Sequence, residues 1–271
     1  MTRTRIAQYT LLTALAIFTI FPFLWSLYAS FVRTDTLLNV FPFPGHTFGW
    51  DNYRFMLTQG HMLRWYWNSF LVTASITLAN LLINSMAAYA LARTRIPGGR
   101  IVFIAVIGLM MVPPQVLLIP IYILVIHLGW INSYWALIVP FLASPFGIFL
   151  MHQFFSTLPR ELEEAARIDG LSVTGLFFRI ALPLSGPALA AQAIFLFVWN
   201  WNTFAYPSIV ESSAHMFTLP VAIYQMTHTT YSNQVAKSMA GIVLALLPVV
   251  LAYFVLQRRF IEGIAHTGVK G

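Results

Sequence analysis

His127 and His152 stand at the ends of long apolar runs, and a zinc-binding helix would need a second histidine or a carboxylate at ligand spacing beside one of them. Neither has such a neighbour, and no metal site is expected. Ser75, Ser85, Ser144 and Ser185 lie inside apolar runs with no base at matching depth, and a serine in such a helix ordinarily bonds its own backbone. A phosphate-cradling loop ends in Gly-Lys-Ser/Thr, whereas the two lysines, Lys237 and Lys270, follow Ala236 and Val269. The absence of cysteine removes disulfide, thiol and iron–sulfur chemistry. No catalytic residue is predicted, and any ATP-driven work must be done by another chain.

One segment does concentrate charge: Leu158-Pro159-Arg160-Glu161-Leu162-Glu163-Glu164-Ala165-Ala166-Arg167-Ile168-Asp169-Gly170. A proline suits a helix's first turn, acids suit its positive end, and a glycine suits its stop. Ser172 is placed to cap a second short helix running through Phe177, Phe178 and Ile180 toward Leu182-Pro183. Two short helices hinged at Gly170 are expected. Ala165 and Ala166 would let another protein's backbone come close, and the alternative is an ordinary solvated helical hairpin.

The elements around this segment are set by lipid. Of 271 residues only 15 are Lys or Arg and 8 are Asp or Glu, while 59% are hydrophobic. A soluble domain carries about a quarter charged residues, and a disordered chain combines low hydrophobicity with high net charge. The basic residues are scattered singly or in pairs, so lipid rather than nucleic acid is the expected partner. Six runs lack any Asp, Glu, Lys, Arg or His: 9–31, 69–91, 101–125, 134–151, 182–206 and 238–256. Each suffices for a hydrocarbon core roughly 30 Å thick at about 1.5 Å per helical residue. Alternating ten-residue strands are absent, which excludes a β-barrel.

Orientation follows from the connections. With the N-terminus inside, eleven of the basic residues (Arg3, Arg5, Arg93, Arg95, Arg100, Arg160, Arg167, Arg179, Arg258, Arg259, Lys270) fall inside, and Arg33, Arg54, Arg64 and Lys237 fall outside. Both termini are therefore expected in the cytoplasm. The expected parts are residues 1–31 (N-terminus and first span), 32–68 (external loop), 69–256 (core, with a cytoplasmic loop at 152–181) and 257–271 (cytoplasmic tail). Outside, the stretch from Leu219 to Met226 reads as a helix lying in the membrane interface. No ionisable residue lies within the runs, which argues against a proton- or sodium-coupled carrier, although carbonyls and hydroxyls leave ion coupling as the rival of a different class.

Glu164-Ala165-Ala166, three residues, Gly170, nine residues and then Ile180-Ala181-Leu182-Pro183 resembles the signature (EAA) loop of binding-protein-dependent ABC importer permeases. The chain is similar over nearly its whole length to the smaller membrane subunit of maltose-type carbohydrate importers. The likeness includes Asn68-Ser69, Val112-Pro113-Pro114-Gln115, Trp199-Asn200, and the ending from Gln257-Arg258-Arg259-Phe260 to Gly268-Val269-Lys270-Gly271. It implies an all-α fold of six transmembrane helices, of the type I ABC importer kind, in the cell membrane of a bacterium or archaeon. It implies as partners a second homologous permease subunit, two ATP-binding-cassette ATPase subunits holding ATP and magnesium, and an extracytoplasmic solute-binding protein. Glu161, Glu164, Ala165, Ala166, Asp169, Gly170 and Pro183 would couple to the ATPase, with Glu164 meeting a basic group there unless Glu161 or Glu163 does. Gly268 and Lys270 would be tail contacts to it.

Cargo evidence is confined to polar side chains in the runs. Asn80 and Asn84 share a helix face, Gln115 follows the Pro113-Pro114 pair, and Gln192, Trp199, Asn200 and Asn202 follow along the fifth run. They are candidates to line a translocation path for hydroxyl-rich solutes. The alternatives are interhelical packing for the amides and the interfacial aromatic belt for Trp199. With no cation at mid-membrane, a neutral carbohydrate or polyol is expected over a sugar phosphate or glycerol phosphate.

Overall fold

The computed structural model describes residues 3–33, 46–58, 61–230 and 234–268, with side chains left out of account near both ends. The regular elements among the described residues are helices, with one isolated antiparallel bridge between Val32 and Phe48. In chain order the helices are α1 (Arg3–Phe31), α2 (Asp51–Thr58), α3 (Met62–Arg93), α4 (Gly99–Met110), α5 (Leu118–His127), α6 (Tyr134–Ile138) and α7 (Pro145–Thr157). They continue with α8 (Arg160–Ile168), α9 (Val173–Leu176), α10 (Leu182–Leu184), α11 (Gly186–Trp201), α12 (Ala205–Val210), α13 (Leu219–Gln225) and α14 (Val235–Gly268). Two compact units result, one of residues 1–66 with 218–248 and one of residues 67–217 with 249–271.

Three stretches are long and apolar enough to cross a bilayer unaided: Gln8–Phe31, Met62–Arg93 and Tyr134–Thr157. The third and fifth apolar runs, expected as single crossings, are sharply bent within their length. Gly99–Met110 meets Pro114–His127 at 96°, and Val173–Leu184 meets Gly186–Trp201 at 76°. The first bend falls where Pro113 and Pro114 withhold successive backbone donors, the second where Ser185 separates Pro183 from Pro187. The fourth run is also segmented, with a 3₁₀ turn at Val139–Phe141 between α6 and α7, around Pro140 and Pro145. Val235–Leu251 forms a shorter apolar stretch.

In the smaller unit, α2 closes the end of α1. Asn52 Nδ2 donates to the carbonyls of Ser30 (2.9 Å) and Val32 (3.0 Å), which have no helical partner beyond Phe31. Ser30 Oγ and the Tyr53 hydroxyl are 2.7 Å apart beneath them. The expected interfacial segment is α13, and its apolar side is covered by protein: Leu219, Val221, Ala222 and Met226 are all buried. Apolar periodicity marks a covered face without saying whether lipid or protein covers it. The Phe41-Pro42-Phe43-Pro44-Gly45 stretch lies outside the described residues.

In the larger unit, a core of Ala88, Tyr89, Met151, Phe155, Ala166, Leu176, Phe177, Ala181 and Ala188 joins the end of α3 to α7, α8, α9 and the start of α11. A second core unites Val72 and Ile76 of α3 with Val125, Ala136, Leu137, Tyr206 and Val210. Between α3, α7 and α11 the backbone comes so close at Gly147 that an added Cβ would press on Asn84 Nδ2, Gln192 Nε2 and Ser144 Oγ. Gly147→Ala should therefore lower stability by about 1–3 kcal/mol, the usual cost of overpacking. At Gly108 an added Cβ meets nothing within 4 Å, and Gly108→Ala should be neutral or mildly stabilising. Thermal unfolding of the two variants in detergent checks both outcomes.

Candidate functional site: the Leu158–Leu182 loop

Helix α8 starts after Pro159, carries Glu161 and Glu163 in its first turn and Arg167 in its last, and so matches the helix dipole at both ends. It stops at Gly170, whose φ of +84° is the left-handed conformation that glycine adopts without steric cost. Gly170 N donates to Arg167 O (3.0 Å) and Leu171 N to Ala166 O (3.0 Å), which together form a Schellman closure. Leu171 packs onto the apolar core that includes Ala166. Two residues later Ser172 Oγ accepts from Gly175 N (3.2 Å) and caps α9, as its position in the sequence suggests.

The loop is not a free hairpin. Ala166 is buried in the core described above, and Glu163 turns inward to Arg93 at the last turn of α3. Arg93 Nε lies 2.7 Å from Glu163 Oε1, with the two side chains only 5% and 11% exposed. The same guanidinium donates to the carbonyls of Leu158 (3.0 Å) and Pro159 (3.3 Å), just before α8 begins. Of the three candidate glutamates, then, Glu163 is taken up inside the chain. Glu161, Glu164, Ala165 and Ile168 fall at i, i+3, i+4 and i+7, form one exposed stripe, and leave Ile168 87% accessible. Asp169 and Gly170 are exposed at the end of that stripe, and Pro183 is exposed in α10 after a π-helical turn at Phe177–Ala181. By sequence alone Arg93 is one more inside charge. Its role rests on a contact 70 residues away along the chain, which no local signal announces.

The candidate path residues separate into two sets. Asn80, Asn84 and Gln192 are fully buried, and the Asn84 and Gln192 amides meet at Gly147. Asn80 Nδ2 donates to Phe141 O (2.7 Å) and Asn84 Nδ2 to Asn80 Oδ1 (3.0 Å). Ser144 N donates to Asn84 Oδ1 (3.1 Å), and Gly147 N donates to Ser144 Oγ (3.1 Å). Neither polar atom of the Gln192 amide has a hydrogen-bond partner among the described residues. Gln115, Trp199 and Asn202 are exposed. Asn200 and Asn202 donate to Leu196 O (2.8 Å) and Val198 O (2.7 Å) one turn back in their own helix. Among the described residues no group of three His, Cys, Asp or Glu could hold a metal ion. Gly268 ends α14, where side chains are outside the description, and Lys270 lies outside the described residues altogether.

Residues 80–266 match the family described as binding-protein-dependent transport system inner membrane component. The chain belongs to that family. As such a component it is similar to the arabinooligosaccharides transport system permease protein AraQ of Halalkalibacterium halodurans, at 37% identity over 261 residues, 95% of this chain and 93% of that protein. The lactose transport system permease protein LacG of Rhizobium radiobacter is 31% identical over 95% of this chain and 94% of its own. In fold, this inner membrane component matches a crystal structure of a bacterial ABC transporter involved in the import of the acidic polysaccharide alginate. The TM-score is 0.81 at 20% identity, covering 96% of this chain and 99% of that one. Its family is one of transport components and not of enzymes.

The inward and outward acids of α8 should behave differently. Glu163→Ala leaves Arg93 buried without its carboxylate and should cost about 3 kcal/mol, the usual penalty for breaking a buried pair. Glu164→Ala, on the exposed side, should stay within about 0.5 kcal/mol. Thermal unfolding of the detergent-solubilised variants measures the difference.

Proposed function

We propose that this chain is one of two membrane subunits of an ATP-driven, binding-protein-dependent importer that moves a carbohydrate or related polyhydroxylated solute across a bacterial or archaeal cell membrane. It crosses the membrane six times with both termini in the cytoplasm, each bent pair counting as one crossing. A second homologous permease subunit completes the pathway. Two ATP-binding-cassette subunits supply ATP, magnesium and hydrolysis, and an extracytoplasmic solute-binding protein delivers the cargo.

The observation that carries this reading is the division of α8 into an anchored face and an offered face. Glu163 and Ala166 fasten the helix to the spans, while Glu161, Glu164, Ala165 and Ile168 point away from the chain's own core. An exposed apolar side chain between acids on a short, firmly held helix suits a cleft on another protein. ATP-driven closure of the ATPase pair would push on that stripe, and the anchored face would pass the movement to the membrane helices. Alternating access follows: the loaded binding protein docks outside, the cavity opens outward to receive the solute, and hydrolysis resets it. Gly268 and Lys270 at the tail add a second contact to the ATPase.

The absence of charge within the apolar runs favours a neutral cargo, because an anion would find no cationic partner on this subunit. Relatives whose names specify arabinooligosaccharides and lactose support the carbohydrate class.

Three results test the reading. Uptake by the reconstituted complex should stop when ATP is depleted and persist when ion gradients are collapsed; the reverse would identify a secondary carrier. Offered neutral oligosaccharides and glycerol-phosphate compounds side by side, the complex should take up the neutral class, and transport of the anionic class alone would refute that choice. Ala165→Trp should leave the protein folded in the membrane while reducing recovery of the ATPase in pull-down and abolishing uptake. If both survive, α8 does not couple.

A further inference from the structure

We propose that Arg93 and Glu163 form the strut through which α8 drives α3, so that the pair is a positioning element of transport and not only a brace of the fold. The proposal rests on reading α8 as the helix that meets the ATPase, and it adds the route by which movement leaves that helix.

The pair is built for directed force. Both side chains are almost fully withdrawn from water, at 5% and 11% exposure. The guanidinium holds α8 at two places at once: the Glu163 carboxylate in its first turn, and the Leu158 and Pro159 carbonyls before it. A planar donor bound to three acceptors fixes orientation as well as distance, which an apolar contact does not. Tyr89 lies one turn before Arg93 in α3 and is buried in the same core as Ala166. Its ring packs edge-on against Phe155 of α7 (5.5 Å) and tilted against Phe177 (5.4 Å).

What the strut grips is a long rigid lever. From Arg93 to Asn80, α3 runs unbroken for about 20 Å at about 1.5 Å per residue. At that far end, Asn80 and Asn84 bond the Phe141 carbonyl and Ser144 at the break before α7. A push on α8 is thereby delivered to the junction of α3, α7 and α11 at Gly147, where side chains of α3 and α11 crowd the backbone of α7. The apolar core around Ala166 holds the same helices together, but without the strut it permits α8 to turn in place.

The test uses the intact complex in proteoliposomes, comparing wild type, Arg93→Ala, Glu163→Gln and Arg93→Lys. Lysine keeps the charge and loses the fork that reaches both carbonyls. The ATPase should co-purify with every variant, and solute moved per ATP hydrolysed should fall about tenfold in Arg93→Ala and Glu163→Gln, with Arg93→Lys in between, a size usual for coupling between sites. Unchanged solute per ATP in assembled single variants would overturn the proposal. So would loss of ATPase co-purification in all three, which would make the pair a brace alone. If wild type itself recovers no ATPase, the reading of α8 fails first, and the two failures are told apart.

Discussion

A guanidinium and a carboxylate lie almost wholly out of water where α3 ends and α8 begins. Among the described residues the other ion pair, Arg33 with Asp51, is more than half exposed. Taking both charges from water costs several kcal/mol each unless they pair closely and their remaining hydrogen-bonding capacity is met. Arg93 meets the requirement with the Leu158 and Pro159 carbonyls as well as Glu163. Because that geometry is restrictive, it fixes which face of α8 looks inward. The outward stripe of Glu161, Glu164, Ala165 and Ile168 is its consequence, and so is any surface the loop offers to a partner.

The rest of the fold answers a second demand of the same kind. A bilayer supplies no water to unpaired carbonyls, so helices that break within it need donors from elsewhere in the protein. Side chains supply them at several breaks and helix ends. Asn80 reaches Phe141 O between α6 and α7, Asn52 reaches the carbonyls at the end of α1, and Asn68 reaches those of His215 and Phe217 before α13. The Tyr206 hydroxyl donates to Ala136 O in α6. The amides that sequence alone marks as candidate cargo contacts thus include one, Asn80, that completes the backbone. Gln192, buried with both polar atoms unmatched, is the exception within the Gly147 group.

What could be read from the residues was what is encoded locally. Stretches without charge are visible along one dimension, and each falls on apolar helix, although the helix around 69–91 starts at Met62 and the bent pair around 182–206 starts at Val173. The Gly170 stop and the Ser172 cap are short-range signals and appear where the spacing placed them. The 96° bend was not legible, since Pro113-Pro114 tells that a helix must break and not in which direction it resumes. The burial of α13 was hidden because a periodic apolar face looks the same under lipid and under protein. Glu163 could not be told from Glu161 and Glu164 by type or spacing. Only its partner 70 residues earlier distinguishes it.

The chain contains no cysteine, so single introduced thiols report without background. The most direct measurement is crosslinking from Leu162→Cys, Ala165→Cys, Ile168→Cys and Ala166→Cys to the ATPase subunit in the assembled complex, with and without nucleotide. The account predicts ATPase adducts from positions 162, 165 and 168 that change with nucleotide, and none from the buried position 166. Adducts from position 166 alone, or none from any of the exposed three while the complex stays assembled, would contradict it.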